Sequence, residues 1–159
     1  MSTPISSHAR EALIRAAIQA KEHAYAPYSN FRVGAALLCK DGTVIKGANI
    51  ENASYGAAIC AERTAIVKAV SEGIKQFSAI AVSTDVPAPI SPCGICRQFI
   101  REFCSLDMPI LLVPGDYPKK GDDAEEVEGG GVLEETLGVL LPYSFGPEEL
   151  ERPRLPATV

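Results

Sequence analysis

At 159 residues the chain fits one domain, and a domain of this size buries roughly 70% of the surface that its unfolded form exposes. Its 47% hydrophobic and 22% charged residues are ordinary for a globular protein, and no apolar run reaches the ~20 residues needed to span a bilayer. A net charge of −5 argues against nucleic acid as a partner, because a phosphate backbone calls for clustered Lys and Arg, and leaves a small molecule as the favoured ligand. Residues Met1 to Arg10 are polar and lack the apolar stretch of a secretory signal. The five cysteines are an odd number, and a metal reading for some of them requires reduced thiols, so cytoplasmic residence is expected.

In chain order, His8 to Tyr25 carries Leu13, Ile14, Ala17, Ile18 and Ala20 or Lys21 at helical spacing, and Pro27 stops that helix. Phe31 to Leu38 and Thr43 to Ala48 read as strands joined through Asp41-Gly42, a hairpin signal. Asn49 to Ile59 is polar and irregular; helical spacing resumes from Cys60 through Val70, with Gly73 as a C-cap. Phe77 to Ser83 reads as a buried strand, and a Pro-rich loop leads to a helix over Gly94 to Cys104. Met108 to Val113 is a further buried strand. Lys119 to Gly131 is charged and glycine-rich, a solvated surface insertion. Val132 to Leu141 returns to packed structure, and the Pro-rich stretch after Pro147 is expected to be a mobile tail. There is no internal repeat and no domain linker. Helices separated by short buried strands predict an α/β domain whose mixed sheet is covered on both faces.

The chemistry is concentrated at Cys60-Ala61-Glu62 and Pro92-Cys93-Gly94-Ile95-Cys96. Cys93 and Cys96 are three apart at a helix start, so their side chains share a face with Cβ atoms ~5–6 Å apart. With Cys60 they can give one zinc ion three thiolates and leave a fourth tetrahedral position open, the mark of a catalytic rather than a structural site. Glu62 stands close enough to move protons without ligating the metal, which completes the equipment for hydrolysis. Three thiolates leave the metal centre with excess negative charge. Helix dipoles and Arg63, donating to ligand sulfurs, are the expected compensation. A lone C-x-x-C also suits a redox pair or half of a structural zinc site; Cys60, Glu62 and Pro92 favour the catalytic reading, which follows the zinc deaminase signature. Cys39 and Cys104 read as small core residues, His23 as a surface residue, and His8 has no visible role.

At these residues the chain resembles the small homotetrameric cytidine deaminases that act on free nucleosides. The likeness runs from about Ala9 to Leu150. It rests on Tyr25-Ala26-Pro27-Tyr28-Ser29, Phe31-Arg32-Val33-Gly34-Ala35-Ala36, Asn49-Ile50-Glu51-Asn52, Cys60-Ala61-Glu62-Arg63-Thr64 and Ser91-Pro92-Cys93-Gly94-Ile95-Cys96-Arg97-Gln98. The resemblance implies a three-layer α/β/α sandwich with a mixed five-stranded sheet and one zinc ion per subunit. Cys60, Cys93 and Cys96 would be the ligands and Glu62 the proton shuttle. Asn49 and Glu51 would hold the ribose hydroxyls, Phe31 would pack beside the pyrimidine, and Ala61 would offer its backbone to the base. Tyr55 would lie where the site closes across a subunit contact, and Phe145 would reach into a neighbour's site. By itself Asn49 to Asn52 reads first as a polar turn; a carboxylate such as Glu51 is nonetheless suited to hydroxyls and repels a phosphate.

The implied reaction is hydrolytic deamination of cytidine and 2′-deoxycytidine, in pyrimidine salvage. The alternative is a relative acting on another aminopyrimidine nucleoside, such as an antibiotic analogue. A polynucleotide editor would need a basic groove or stacking platforms, and a zinc-stabilised binding module would have no use for Glu62. The chain departs from the shorter members of the family between Tyr117 and Val132, which puts the register of the last strand and the role of Phe145 in question.

Overall fold

The computed structural model describes residues 5–122 and 125–155. Helix α1 (Ser7–Lys21) begins at Ser6, whose hydroxyl accepts the Ala9 amide at 3.2 Å, and buries Leu13, Ile14, Ala17 and Ala20. It stops short of the expected Tyr25. That residue is drawn into an extended bridge instead: its amide donates to the Asn49 carbonyl at 2.9 Å, and its carbonyl accepts the Glu51 amide at 2.8 Å. Tertiary pairing overrides helical spacing here.

Five strands follow: β1 (Val33–Cys39), β2 (Val44–Ala48), β3 (Phe77–Thr84), β4 (Pro109–Val113) and β5 (Leu133–Thr136). They form one mixed sheet in the order β2-β1-β3-β4-β5, with β3 and β4 parallel and the other neighbours antiparallel. Helix α3 (Gly94–Phe103) makes the crossover between the parallel pair, and α2 (Ala61–Ser71) connects β2 to β3. Alternation along the strands sorts the core into two layers. Ala36, Leu38, Ala79, Ala81, Leu111 and Val113 pack with α1. Ala35, Leu37, Ile80, Val82, Ile110 and Leu112 pack on the other face with Ala65 and Ile66 of α2 and Ile100 of α3. Both faces are covered, so β1, β3 and β4 read as continuous apolar runs. The architecture is the expected three-layer α/β/α sandwich.

Val132 to Leu141 divides into β5, with Thr136 opposite Pro109 and Leu133 opposite Leu112, and a single helical turn, α4 (Leu137–Leu140). The described residues of 119–131 are largely exposed, with a Lys120–Glu126 bridge and a 3-10 turn at Glu128–Gly131. Tyr117 anchors its base. The hydroxyl donates to Glu11 of α1 at 2.6 Å, and the Arg15 guanidinium lies 5.5 Å from the ring centre. The stretch expected to be a mobile tail opens with the short helix α5 (Pro147–Leu150), where Glu148 pairs with the buried Arg101; residues 156–159 lie outside the described part.

Candidate active site

Helices α2 and α3 lie on the same face of the sheet and pack against each other. Cys60 and Cys93 are the residues immediately before their first turns, and neither side chain makes a capping bond, so both sulfurs are left for another partner. Cys96 sits in the first turn of α3 and is buried. The ligand atoms of Cys60, Cys93 and Cys96 lie within 4.8 Å of one another, and the Cys60 and Cys93 sulfurs are 3.9 Å apart. A tetrahedral zinc with Zn–S bonds of ~2.3 Å separates its sulfurs by ~3.8 Å. The cluster therefore fits zinc in size and in donor type, with an all-sulfur set that leaves one tetrahedral position over. The other two cysteines are core residues, as their surroundings in the sequence suggest: Cys39 and Cys104 are buried, and burial pushes the Cys104 thiol up to about 12.

Charge is arranged around this cluster. A hydrogen bond from Cys96 is the main cause that holds Cys60 down at about 5, helped by bonds from Arg63 and Cys93. The Arg63 Nη2 lies 3.7 Å from the Cys60 sulfur and donates to the Ala58 carbonyl at 3.4 Å. A guanidinium thus stands beside one sulfur of the cluster. Glu62, in the first turn of α2, is 4% exposed. Burial, and secondarily the negative charge of Cys60, pushes its carboxyl up to about 7. A buried carboxyl poised near neutrality can both take and give a proton at physiological pH.

From Cys60 an open cleft of about 400 Å³ runs to Glu51, walled by Phe31, Asn49 and Ala58. A second of about 260 Å³, between Tyr28 and Tyr55, shares Ser29, Glu51 and Ala58 with it. Glu51 accepts the Tyr28 amide at 2.9 Å, the Ser29 amide at 3.2 Å and the Ser29 hydroxyl. These bonds, the Ser29 hydroxyl foremost, hold the Glu51 carboxyl below its usual range, so it stays an acceptor. Asn49 is clamped: its Oδ1 accepts the Val33 amide and its Nδ2 donates to the Phe31 carbonyl, each at 2.9 Å. Tyr55 is exposed, with its ring centre 5.6 Å from that of Tyr28, and Ala61 is fully buried at the start of α2. Phe145 lines neither cleft of its own chain; it is exposed, and its carbonyl accepts Gln98 Nε2 at 3.1 Å.

Two supporting residues gain their role only from the tertiary structure. Gly47 of β2 lies beneath α2, where a Cβ would come within 2.4 Å of the Ala65 amide nitrogen and 2.5 Å of the Ala61 carbonyl oxygen. Arg97 donates to the Pro92 carbonyl at 2.6 Å, and to the Ser91 hydroxyl and the Leu140 carbonyl at 2.7 Å each, pinning the loop that presents Cys93. Its position one residue after Cys96 was a signal; Gly47 gave none, because an isolated glycine in a strand has several readings.

Residues 7–111, which include the whole cluster, match a family model described as the cytidine and deoxycytidylate deaminase zinc-binding region. A cytidine deaminase of Halalkalibacterium halodurans is 50% identical over 141 residues, 89% of this chain and 97% of that protein. One from Sporosarcina psychrophila is 49% identical over 140 residues, 88% of this chain and 93% of its own. The crystal structure of cytidine deaminase from Burkholderia pseudomallei superposes with a TM-score of 0.72 at 43% identity, over 89% of this chain and 100% of that one. Agreement of a family model spanning every cysteine of the cluster with relatives matched over almost their full length leaves one assignment: the chain belongs to the cytidine and deoxycytidylate deaminase family.

Proposed function

We propose that this chain is a zinc-dependent hydrolase that converts cytidine and 2′-deoxycytidine, with one water, to uridine and 2′-deoxyuridine plus ammonia. The observation that carries the reading is a carboxyl, that of Glu62, buried beside three clustered thiols. Cys60, Cys93 and Cys96 hold the metal, which when bound supplies a Lewis acid that makes water acidic enough to react near neutral pH. Glu62 takes a proton from water and delivers it to N3 of the base, which makes C4 electrophilic as the water oxygen bonds to it. It then carries that oxygen's second proton to the exocyclic nitrogen, and the C4–N bond breaks to release ammonia and leave the C4 carbonyl. Arg63 offsets the negative charge of the sulfurs.

Phe31 packs beside the pyrimidine and the Ala61 backbone meets the base. Asn49 keeps one N–H and one lone pair beyond its two internal bonds, and Glu51 is held as an anion; together they suit sugar hydroxyls and disfavour a phosphorylated sugar. Tyr55 and Phe145 are exposed on a single chain, in keeping with pockets completed by neighbours in a homotetramer. The enzyme would serve pyrimidine salvage in the cytoplasm. The test is the fall in cytidine absorbance on adding zinc-loaded protein, beside a chelator-stripped sample and Glu62→Gln. Deamination confined to the loaded wild type, with zinc retained in Glu62→Gln and a loss of roughly 10²–10⁴ in rate, is expected. Turnover by Glu62→Gln at the wild-type rate would overturn the mechanism.

A further inference from the structure

Lys21, the last residue of α1, is 6% exposed. A buried ammonium is retained only with partners, and these lie at the end of β3: Nζ donates to the Thr84 carbonyl at 2.8 Å and meets Asp85 Oδ1 at 3.3 Å. The same Asp85 carboxylate receives Arg32 through both arms of its fork, Nε at 2.9 Å and Nη2 at 3.0 Å, and accepts the Arg32 amide at 3.3 Å. Glu22 takes the remaining arm, Nη1, at 3.1 Å. Arg32 precedes β1, so no ladder pairing holds it. Asp85, one residue past the end of β3, ties it to the rigid sheet.

What Arg32 carries on either side gives the cluster its interest. The Phe31 carbonyl and the Val33 amide are the two groups that grip the Asn49 carboxamide. Because one is an acceptor and the other a donor, they also decide which end of the amide is oxygen. Asn49 lines the cleft and keeps one N–H and one lone pair beyond these two bonds.

We propose that Lys21, Asp85 and Arg32 form a positioning unit that orients Asn49 toward the sugar of the substrate, by fixing the Phe31–Val33 backbone to the ends of α1 and β3. The proposal rests on the assignment of Asn49 to the sugar hydroxyls made above. None of the three residues touches substrate; they act through Asn49. A unit that only stabilised the fold would affect every substrate alike. A positioning unit affects a substrate to the extent that Asn49 contacts it.

The experiment compares cytidine with 2′,3′-dideoxycytidine, using zinc-loaded full-length Asp85→Ala, Arg32→Gln and Asn49→Ala. Arg32→Gln is included because its side chain is 42% exposed and the substitution leaves the core intact if Asp85→Ala does not fold. Loss of one well-placed hydrogen bond predicts a fall of roughly three- to tenfold in kcat/KM for cytidine, appearing chiefly in KM. For the dideoxy substrate the same variants should change by less than about twofold, within the scatter expected when no contact is lost. Equal losses on both substrates in Asp85→Ala and Arg32→Gln, with a sugar-dependent loss in Asn49→Ala, overturn the proposal alone. Equal losses on both substrates in Asn49→Ala overturn the sugar assignment and the proposal with it.

Discussion

Replacing Gly47 by alanine adds one methyl group beneath the helix that carries Glu62. The new Cβ would stand 2.4 Å from the Ala65 nitrogen, 2.5 Å from the Ala61 carbonyl oxygen and 2.9 Å from the Ala65 Cα. All three are backbone atoms, so no rotamer change relieves the overlap. Restoring the ordinary 3.4–4 Å contact requires α2 to lift from β2 by ~1 Å. Overpacking of this kind costs about 1–3 kcal/mol, and in a domain near 150 residues each kcal/mol lowers Tm by about 2–4 °C, so a fall of roughly 2–12 °C is expected. The same lift moves Cys60 and Glu62 relative to Cys93 and Cys96, which belong to α3. A misplacement of ~1 Å in a reacting group costs about 10²-fold in rate. Thermal denaturation followed by circular dichroism and initial rates of cytidine loss on the same zinc-loaded sample give both numbers. Wild-type Tm together with wild-type turnover would show that α2 does not depend on the bare glycine, and the account of how the helix is seated would fall.

Arg63→Gln removes the guanidinium beside the Cys60 sulfur, and a loss of roughly 10–100-fold in zinc retention is expected, read from the rate of metal transfer to a chromophoric chelator; an unchanged rate would leave Arg63 without that role. Leu111→Ala, at a fully buried position against α1, should cost about 2–5 kcal/mol in denaturant unfolding, and a cost below ~1 kcal/mol would mean the site collapses around the change. Asp85 is held below its ordinary pKa of 3.8, first by the Arg32 hydrogen bond and then by Lys21. A depressed folded-state pKa contributes stability that is fully present above 3.8 and is lost as pH falls below it. The Tm gap between wild type and Asp85→Asn should therefore be open at pH 7 and narrow as pH drops below about 4; a gap independent of pH would assign the effect to packing rather than charge.

Much of the site was readable because its key spacings are local. Cys93 and Cys96 share one helical turn, Glu62 follows Cys60 by two positions, and Arg63 follows directly, so covalent geometry brings these groups near one another before any tertiary contact forms. The two-faced burial of β1, β3 and β4 was legible for a similar reason, since a strand covered on both sides shows an unbroken apolar run. The limit of α1 was not, because Tyr25 obeys its pairing with Ile50 rather than its own helical phase. The split of 132–141 into β5 and α4 depended on pairing with β4, a contact between segments more than twenty residues apart.

The sequence by itself pointed to the three cysteines that cluster, to the carboxyl beside them and to the layered α/β class, because each is encoded in residue type and short-range period. Only the tertiary structure decided how those pieces are held. It brought Lys21, Arg32 and Asp85 into one cluster across 64 and 53 positions of chain, set Gly47 directly beneath α2, and passed Arg97 from the cysteine loop to Leu140. Such contacts leave no periodic trace, since a charge or a glycine acquires its partner from the packing of whole elements. The order of the sheet, β2-β1-β3-β4-β5, chooses those neighbours, and it is a property of the assembled layers rather than of any one segment.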